Sequence, residues 1–285
     1  MTTLARERMR QLLQTERCIT CASVFDPLSS RMAESIGFEA GILGGSVASL
    51  LSLGAPDIYL LTLNELATQA KRVCRASHLP MIVDGDSGYG NSLNVMRTIE
   101  ELEDAGAALV TLEDTVIPQP FQKPEFNLSS IEEACNKLKA ALEARNDNSM
   151  AIFARTHADQ PIEQLQARVE AYSKVGVDGI CIFGCKSKQR LAQWASNNTL
   201  PIMLISYGEV DLGSADHLAK QNVRISFSGH TAYEEAVKAT YQSLLRLYSG
   251  SEEGSKECDA KALISRFSEK AKYQQIAKQF ICNEG

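Results

Sequence analysis

Eight short apolar segments, separated by amphipathic stretches, recur along almost the whole chain. They are CITCASV (18–24), AGILGG (40–45), PMIVDGD (80–86), ALVTLED (108–114), MAIFART (150–156), DGICIFG (178–184), PIMLIS (201–206) and VRISFSG (223–229). The stretches between them, such as TLNELATQAKRVCRAS and EQLQARVEAYSKVG, place apolar residues at helical spacing. Strands that alternate with helices form a parallel sheet, and eight such units predict an α/β fold, a closed (β/α)8 TIM-type barrel. A doubly wound open sheet is the alternative, but no GxGxxG opens a helix after the first strand.

The length of the chain fits this fold without a second domain. A (β/α)8 barrel takes roughly 250 residues, and the chain has 285. We therefore predict a single domain over 1–285, with the barrel core at about 18–249. The segment at about 256–282 predicts one additional C-terminal helix. Three helices are expected to end at a left-handed glycine, at Gly37, Gly106 and Gly176.

Composition and charge exclude several classes of partner. The net charge of −6 and the isoelectric point near 5.4 argue against nucleic acid. No segment approaches the roughly 18 uninterrupted apolar residues of a membrane span. The charged N-terminus does not resemble a secretory signal, so we expect a cytoplasmic protein. The eight cysteines are scattered through apolar segments, which predicts free, largely buried thiols rather than disulfides.

Acidic residues end two neighbouring strands. Asp84 and Asp86 follow the third apolar segment and share one face of the strand, and Glu113 ends the fourth. Catalytic groups of such barrels lie at the carboxyl ends of the strands. Oxygen ligands suit Mg²⁺ or Mn²⁺, so the three carboxylates predict a divalent-metal site. Alternatively, the aspartates cap the following helix at Asn91 or bind an arginine or lysine.

Two further strand ends are suited to hold a carboxylate or phosphate. The turn at Gly44, Gly45 and Ser46 can present backbone N–H groups and a hydroxyl. A simple tight turn explains the same residues equally well. Arg155 ends an otherwise apolar strand and can bind a substrate carboxylate through two parallel hydrogen bonds. Its structural alternative is an ion pair with Glu113.

Tyr207 and His230 follow the seventh and eighth apolar segments. Both are therefore expected at the same end of the barrel as the acidic residues. His230 begins the next helix, so a capping role is as well supported as a role in the site.

Several of these motifs together resemble the phosphoenolpyruvate mutase/isocitrate lyase superfamily. The motifs are SVFDPLSSRMAESIGFEAGILGGSVAS, DGDSGYGN, LEDT and ART, and the resemblance runs from about Cys18 to Tyr241. It implies Mg²⁺ bound directly through Asp84, with Asp57, Asp86 and Glu113 acting mostly through metal-bound waters. It also implies an eighth helix exchanged between subunits, in a homotetramer built as a dimer of dimers.

Within the superfamily, GILGGSVASLLSLGAPD and SGHTAYEEAVKATY resemble the bacterial oxaloacetate decarboxylase branch. His230 matches the histidine that marks this branch, and Tyr207 lies where the branch has a tyrosine. The resemblance implies that Ser46, its neighbouring N–H groups and Arg155 hold the substrate carboxylates.

The loop after the fourth strand departs from the lyases of the superfamily. Lyases carry a Cys and a His there, whereas EDTVIPQPFQKPEFNLSSIEE has neither. A lyase must move protons, but loss of CO2 from a β-keto acid requires no base. The expected activity is therefore metal-dependent decarboxylation of oxaloacetate to pyruvate. Alternatives are a 2-methylisocitrate-type lyase, an oxaloacetate hydrolase, a phosphonopyruvate-type C–P enzyme, or a keto-acid-binding protein without catalysis.

Overall fold

The structure, a computed structural model, describes residues 2–122, 127–196, 198–208, 210–250 and 259–282. The strands are β1 (Ile19–Thr20), β2 (Ala22–Ser23), β3 (Gly41–Leu43), β4 (Met81–Asp84), β5 (Leu109–Glu113), β6 (Ala151–His157), β7 (Gly179–Phe183), β8 (Ile202–Ser206) and β9 (Val223–Ser228). The helices are α1 (Thr2–Gln14), α2 (Pro27–Ile36), α3 (Gly45–Leu53), α4 (Leu63–Cys74), α5 (Ser92–Ala105), α6 (Ile131–Ala144), α7 (Ile162–Val175), α8 (Lys188–Ala195), α9 (Ala215–Lys220), α10 (Thr231–Ser249), α11 (Ala260–Phe267) and α12 (Lys270–Ala277), followed by a π-helical turn (Lys278–Cys282).

The sheet closes into a barrel through its first segment. β1 pairs with β9 and β2 pairs with β3, and only Cys21 separates β1 from β2. The Cys21 N–H donates to the Ser226 carbonyl at 2.9 Å, and the Ala22 N–H donates to the Ala40 carbonyl at 3.0 Å. β1 and β2 therefore act as one barrel strand, and every strand pairing is parallel. The predicted (β/α)8 barrel is confirmed.

Alternating strand residues divide the core into two layers. Leu109 points into the barrel, where it is buried with Phe153 and Ile225, whereas Val110 points outward to the surrounding helices. Helix α1 covers the amino-terminal end of the barrel with apolar residues that join the inner layer, Met9 among them. This plug leaves only the carboxyl-terminal end of the strands, hereafter the mouth, for a site.

The helix-to-strand joints follow the expected glycine pattern. Gly37, Gly106 and Gly176 have φ values of 103°, 99° and 95°, and each follows the last residue of a helix. A left-handed residue ends the helix and turns the chain toward the next strand, and glycine adopts it without steric cost. The three predicted caps are confirmed.

The C-terminal segment differs from the prediction of one helix. α11 and α12 are two short helices, because the chain turns at Ser268 and Glu269 takes a left-handed φ of 56°. The start of the predicted extension, at 256–258, lies outside the described residues. α10 spans 19 residues and buries none of them on its own barrel. None of the described helices is both long and apolar enough to cross a membrane.

The described cysteines form no disulfide, as expected. Cys21, Cys181 and Cys185 are buried, and the rest of those described are partly buried free thiols. Burial raises the pKa of Cys181 to about 12, which leaves its thiol protonated at neutral pH. Cys258 lies outside the described residues.

Candidate active site

Four carboxylates meet at the mouth and are hereafter called the acidic cluster, Asp57, Asp84, Asp86 and Glu113. A Cβ atom built on Gly45 would lie 3.3 Å from Asp86 Oδ1, 3.9 Å from Asp84 Oδ2 and 4.0 Å from Asp57 Oδ1. Three side chains therefore surround one side of the same backbone position. A methyl group there would touch all three carboxylates and would be slightly too close to Asp86.

Arg155 bridges two members of the acidic cluster. Its Nη1 lies 2.6 Å from Asp84 Oδ2, and its Nη2 lies 3.2 Å from Glu113 Oε2. The register of the sheet explains the second contact, because Glu113 on β5 is directly paired with Arg155 on β6. Burial alone would lower the pKa of Arg155, but the charges of Asp84 and Glu113 outweigh it and hold that pKa well above its usual value. The ion pair that the sequence offered as an alternative is thus present, together with a second one.

The acidic cluster carries more negative charge than Arg155 can balance. Burial first, and then the charge of Asp84, raises the pKa of Asp57 to about 6. The same two causes raise the pKa of Asp86 well above its usual range. Burial also raises the pKa of Glu113, although Arg155 opposes this. One guanidinium faces four carboxylates, so a further cation would stabilise the ionised cluster.

Backbone strain is concentrated beside the acidic cluster. Asp86, Tyr59 and Tyr89 have φ values of 47°, 64° and 59°, a region that non-glycine residues rarely adopt. Burial raises the pKa of the Tyr59 and Tyr89 hydroxyls, and the charges of Glu113 and Asp86 respectively raise it further. The sequence analysis missed both tyrosines; the glycines that flank Tyr89 were the available signal.

The glycine turn lies against two predicted site residues, His230 and Tyr207. Gly44 precedes the first residue of α3, and a Cβ atom on it would lie 2.7 Å from the His230 ring. Burial raises the pKa of the Tyr207 hydroxyl, and the nearby side chain of Ser46 opposes this. No side chain caps α3, which begins two residues after the end of β3, so the N–H groups of its first turn are available to bind an anion.

His230 is buried in the wall of the mouth and is held by Ser23, whose Oγ lies 2.7 Å from His230 Nδ1. Its ring centroid lies 6.0 Å from that of Tyr207 and 5.1 Å from that of Phe227. Burial lowers the pKa of His230 to about 4, so the imidazole is neutral at pH 7. Although His230 occupies the residue before α10, its side chain makes no capping hydrogen bond. The capping alternative is therefore wrong for His230.

The capping alternative is also wrong for the two aspartates. Helix α5 is capped by Asn91, whose side chain accepts from the Leu93 N–H at 3.0 Å. Asp84 instead contacts Arg155, and Asp86 lies beside Gly45. Both aspartates face the mouth.

Phe183 contacts both Arg155 and Tyr207 at the mouth, and the sequence analysis missed it. Its ring centroid lies 5.5 Å from Arg155 Cζ, 5.7 Å from the Tyr207 ring and 4.9 Å from the His157 ring. It lines an open cavity of about 310 Å³ with Arg155 and Glu113. A phenylalanine at the end of an apolar strand looks like a core residue in sequence.

Asp114 follows Glu113 but turns away from the mouth. Its Oδ2 accepts hydrogen bonds from the Tyr172 hydroxyl at 2.6 Å and from Arg168 Nη1 at 3.1 Å. Both partners lie on α7, so Asp114 fixes that helix to the end of β5. It takes no part in the acidic cluster.

The acidic cluster fits a hard divalent cation that keeps part of its water shell. In the described part of the chain, no three His, Cys, Asp or Glu side chains are already arranged as metal ligands. Mg²⁺ does not need such a set, because it commonly takes one or two carboxylates and several waters. The buried excess of negative charge and the all-oxygen donors suit such an ion.

The chain shares most of its length with curated enzymes. Oxaloacetate decarboxylase from Pseudomonas fluorescens (strain SBW25) is 52% identical over 240 residues, which cover 84% of this chain and 83% of that protein. Oxaloacetate decarboxylase from Pseudomonas putida is 46% identical over 280 residues, covering 98% of this chain and 96% of that protein.

A solved structure shares the fold. The crystal structure of phosphonopyruvate hydrolase in complex with oxalate and Mg²⁺ has a TM-score of 0.77 and 25% identity, covering 96% of this chain and 98% of that one. The family model described as phosphoenolpyruvate phosphomutase matches residues 9–247, which include the acidic cluster, Arg155, Tyr207 and His230. The protein belongs to the phosphoenolpyruvate phosphomutase family.

Proposed function

We propose that this protein is a divalent-metal-dependent oxaloacetate decarboxylase, which uses Mg²⁺, or Mn²⁺ in its place, and forms pyruvate and CO2. The observation that carries the proposal is the composition of the mouth. It holds an acidic cluster, an arginine and an anion-binding turn, while the loop after β5 contains neither Cys nor His. The similarity to curated oxaloacetate decarboxylases supports the same reaction.

Each side chain has a defined part in the proposed reaction. Asp84 would hold the metal directly, and Asp57, Asp86 and Glu113 would bind it through water. Arg155, Ser46 and the N–H groups at Gly44 and Gly45 bind the C1 carboxylate of the substrate. Tyr207 and His230 shape the space around the C4 carboxylate, which leaves.

The reaction breaks the C3–C4 bond, whose electron pair remains on the three-carbon fragment as an enolate. A bound divalent cation supplies positive charge where this negative charge develops. The C4 carboxylate departs as CO2, and water then supplies a proton to C3. No residue has to remove a proton before the bond breaks, which agrees with the composition of the β5–α6 loop.

The test is pyruvate formation by the purified protein with oxaloacetate and Mg²⁺. We expect turnover well above the rate with free Mg²⁺, and a chelator should abolish it. Asp84→Ala should reduce turnover at least about 100-fold, because a direct metal ligand is lost. Asp104→Ala, which removes an exposed carboxylate of α5, is the matched control and should retain activity.

A wild-type rate equal to that of free Mg²⁺ would refute the decarboxylase function. 2-Methylisocitrate and phosphonopyruvate would then be tested as substrates of a related family reaction. Oxalate binding without turnover of any of these acids would indicate a keto-acid-binding protein.

We further propose that the chain is one domain over 1–285 and that it acts in the cytoplasm. Its proposed assembly is a homotetramer, a dimer of dimers in which α10 is exchanged between subunits. Two exposed apolar surfaces support the exchange. Leu244, Leu247 and Tyr248 on α10 are 61%, 79% and 93% exposed. Apolar residues of α2 are likewise exposed, including Ile36 at 75%. Surfaces of this kind mark subunit contacts.

A further inference from the structure

The turn at residues 85–90, hereafter the Asp86 turn, follows β4 and carries one member of the acidic cluster. Asp86 and Tyr89 have φ values of 47° and 59°, although neither is a glycine. Backbone in this region is costly and persists only where the surrounding structure holds it. The position of the Asp86 carboxylate therefore depends on the contacts that hold this turn.

Three successive carbonyls of the Asp86 turn accept hydrogen bonds from three different elements. The carbonyl of Asp86 itself accepts from a backbone N–H at the end of β5, at 2.8 Å. The Ser87 carbonyl accepts from Nζ of Lys137 on α6, at 3.4 Å. The Gly88 carbonyl accepts from the Thr98 hydroxyl on α5, at 3.2 Å. The turn is thus held by the barrel and by two of the surrounding helices.

Lys137 reaches the Asp86 turn from the outer layer of helices. Its side chain is only 14% exposed, and it lines a cavity of about 260 Å³ together with Ser87, Glu113 and Arg155. Burial lowers the pKa of Lys137, and Glu133, whose Oε1 lies 4.0 Å from Nζ, opposes this. An ammonium is costly to bury unless it is hydrogen-bonded. The Ser87 carbonyl, unlike the more distant Glu133, lies within hydrogen-bonding distance of it.

We propose that Lys137 is a positioning residue for the metal site, which holds the Asp86 turn through the Ser87 carbonyl and so keeps Asp86 in its place in the acidic cluster. The inference rests on the proposed metal-dependent function and deepens it. Lys137 acts through the backbone of the turn, from behind the acidic cluster. Groups that orient metal ligands in this indirect way change metal affinity by roughly 10–100-fold when they are removed.

The direction of the expected effect separates this role from that of a nearby charge. A lysine that acted on the acidic cluster only through its charge would oppose the binding of a cation, so its removal would tighten binding. A lysine that holds the Asp86 turn has the opposite effect. Its removal frees the turn, and the metal then binds more weakly.

The test measures Mn²⁺ binding to the full-length protein by titration calorimetry, without substrate. Lys137→Met, which keeps most of the side chain but removes the donor, should raise the Kd for Mn²⁺ about tenfold. Lys137→Arg keeps a charged donor and should stay within about threefold of wild type. Lys139→Met removes the same charge from an exposed position of α6, so it is the matched control and should bind as wild type does.

Steady-state kinetics give a second readout, which a purely structural role would not produce. In Lys137→Met the Mg²⁺ concentration at half-maximal rate should rise about tenfold, whereas kcat at saturating Mg²⁺ should stay within about threefold of wild type. Melting temperatures establish that each variant is folded. Lys137→Gln replaces Lys137→Met in the same comparison if the latter is not folded.

Unchanged or tighter Mn²⁺ binding in Lys137→Met would overturn the inference, and so would an equal loss of affinity in Lys137→Arg or Lys139→Met. In those cases the metal site and the decarboxylase function stand. A wild-type protein that binds no Mn²⁺ would remove the metal site and the inference together. A wild-type protein that binds Mn²⁺ without turning over oxaloacetate would refute the decarboxylase function alone.

Discussion

At the scale of single residues, two glycines at the mouth make room for the side chains of site residues. Gly44 and Gly45 leave room for the His230 ring and for three aspartates respectively. A methyl group at Gly44 would approach His230 to 2.7 Å, closer than packed atoms tolerate. The absence of a side chain at Gly44 therefore gives the His230 ring its place beside the turn.

His230 gives the stability of the protein a pH dependence with a definite sign. Its folded pKa of about 4 lies below its usual value of 6.5 because the ring is buried. Between these two values the unfolded chain binds a proton and the folded chain does not, so stability falls as pH decreases from about 6.5. From pH 7 to pH 5 the loss from this group is on the order of 1–2 kcal/mol.

Urea denaturation at the two pH values measures this effect. His230→Gln should lose less unfolding free energy between pH 7 and pH 5 than wild type. His78→Gln, which changes an exposed histidine, is the control and should follow wild type. An unchanged pH difference in His230→Gln would show that the buried imidazole is not responsible.

At the scale of elements, the outer face of β5 fixes α7. Asp114 and Tyr172 are both buried, and their hydrogen bond joins the end of the strand to the helix. Arg168 adds a second bond to Asp114 and one to the Ser129 carbonyl at 2.8 Å. The end of β5, where Glu113 lies, is therefore held from the outer side of the barrel by α7.

Tyr172→Phe should reduce the free energy of unfolding by about 1–3 kcal/mol, because a buried carboxylate loses a hydrogen bond. Tyr273→Phe on the partly exposed α12 is the matched control and should have little effect. Urea denaturation of the two variants at pH 7 makes the comparison. Equal stability of Tyr172→Phe and wild type would mean that Arg168 alone satisfies Asp114.

The sequence predicted the strands and their ends best, because the same strand-and-helix pattern is repeated eight times. The strand ends at Asp84, Glu113 and Arg155 were found because eight strands share one pattern and one functional end. Phe183 was missed because its importance comes from its neighbours across the sheet, which spacing does not reveal. The break between α11 and α12 was missed because Ser268 and Glu269 are not helix breakers, and tertiary context decides their conformation.

At the scale of the whole molecule, α10 carries exposed apolar side chains, among them Leu244, Leu247 and Tyr248. All of its residues are at least partly exposed on its own barrel, and its apolar residues are concentrated near the C-terminal end. A helix in this state is stable when another surface buries its apolar face. The proposed exchange of α10 between subunits supplies that surface.

Leu247→Glu should shift the protein from a tetramer to a smaller species, since it places a charge in the proposed subunit contact. Light scattering after size-exclusion chromatography gives the mass of each species. Leu4→Glu changes an exposed leucine of α1 at the other end of the barrel and should keep the wild-type mass. A wild-type monomer, or a Leu247→Glu tetramer, would argue against α10 as the contact.

The C-terminal π-helical turn reaches the loop that follows β5. The Gln122 N–H donates to the Ile281 carbonyl at 2.9 Å, and Gln119 Nε2 lies 3.9 Å from Cys282 Sγ. A change in this turn would therefore act first on the loop that leads from the end of β5, at the mouth, to α6.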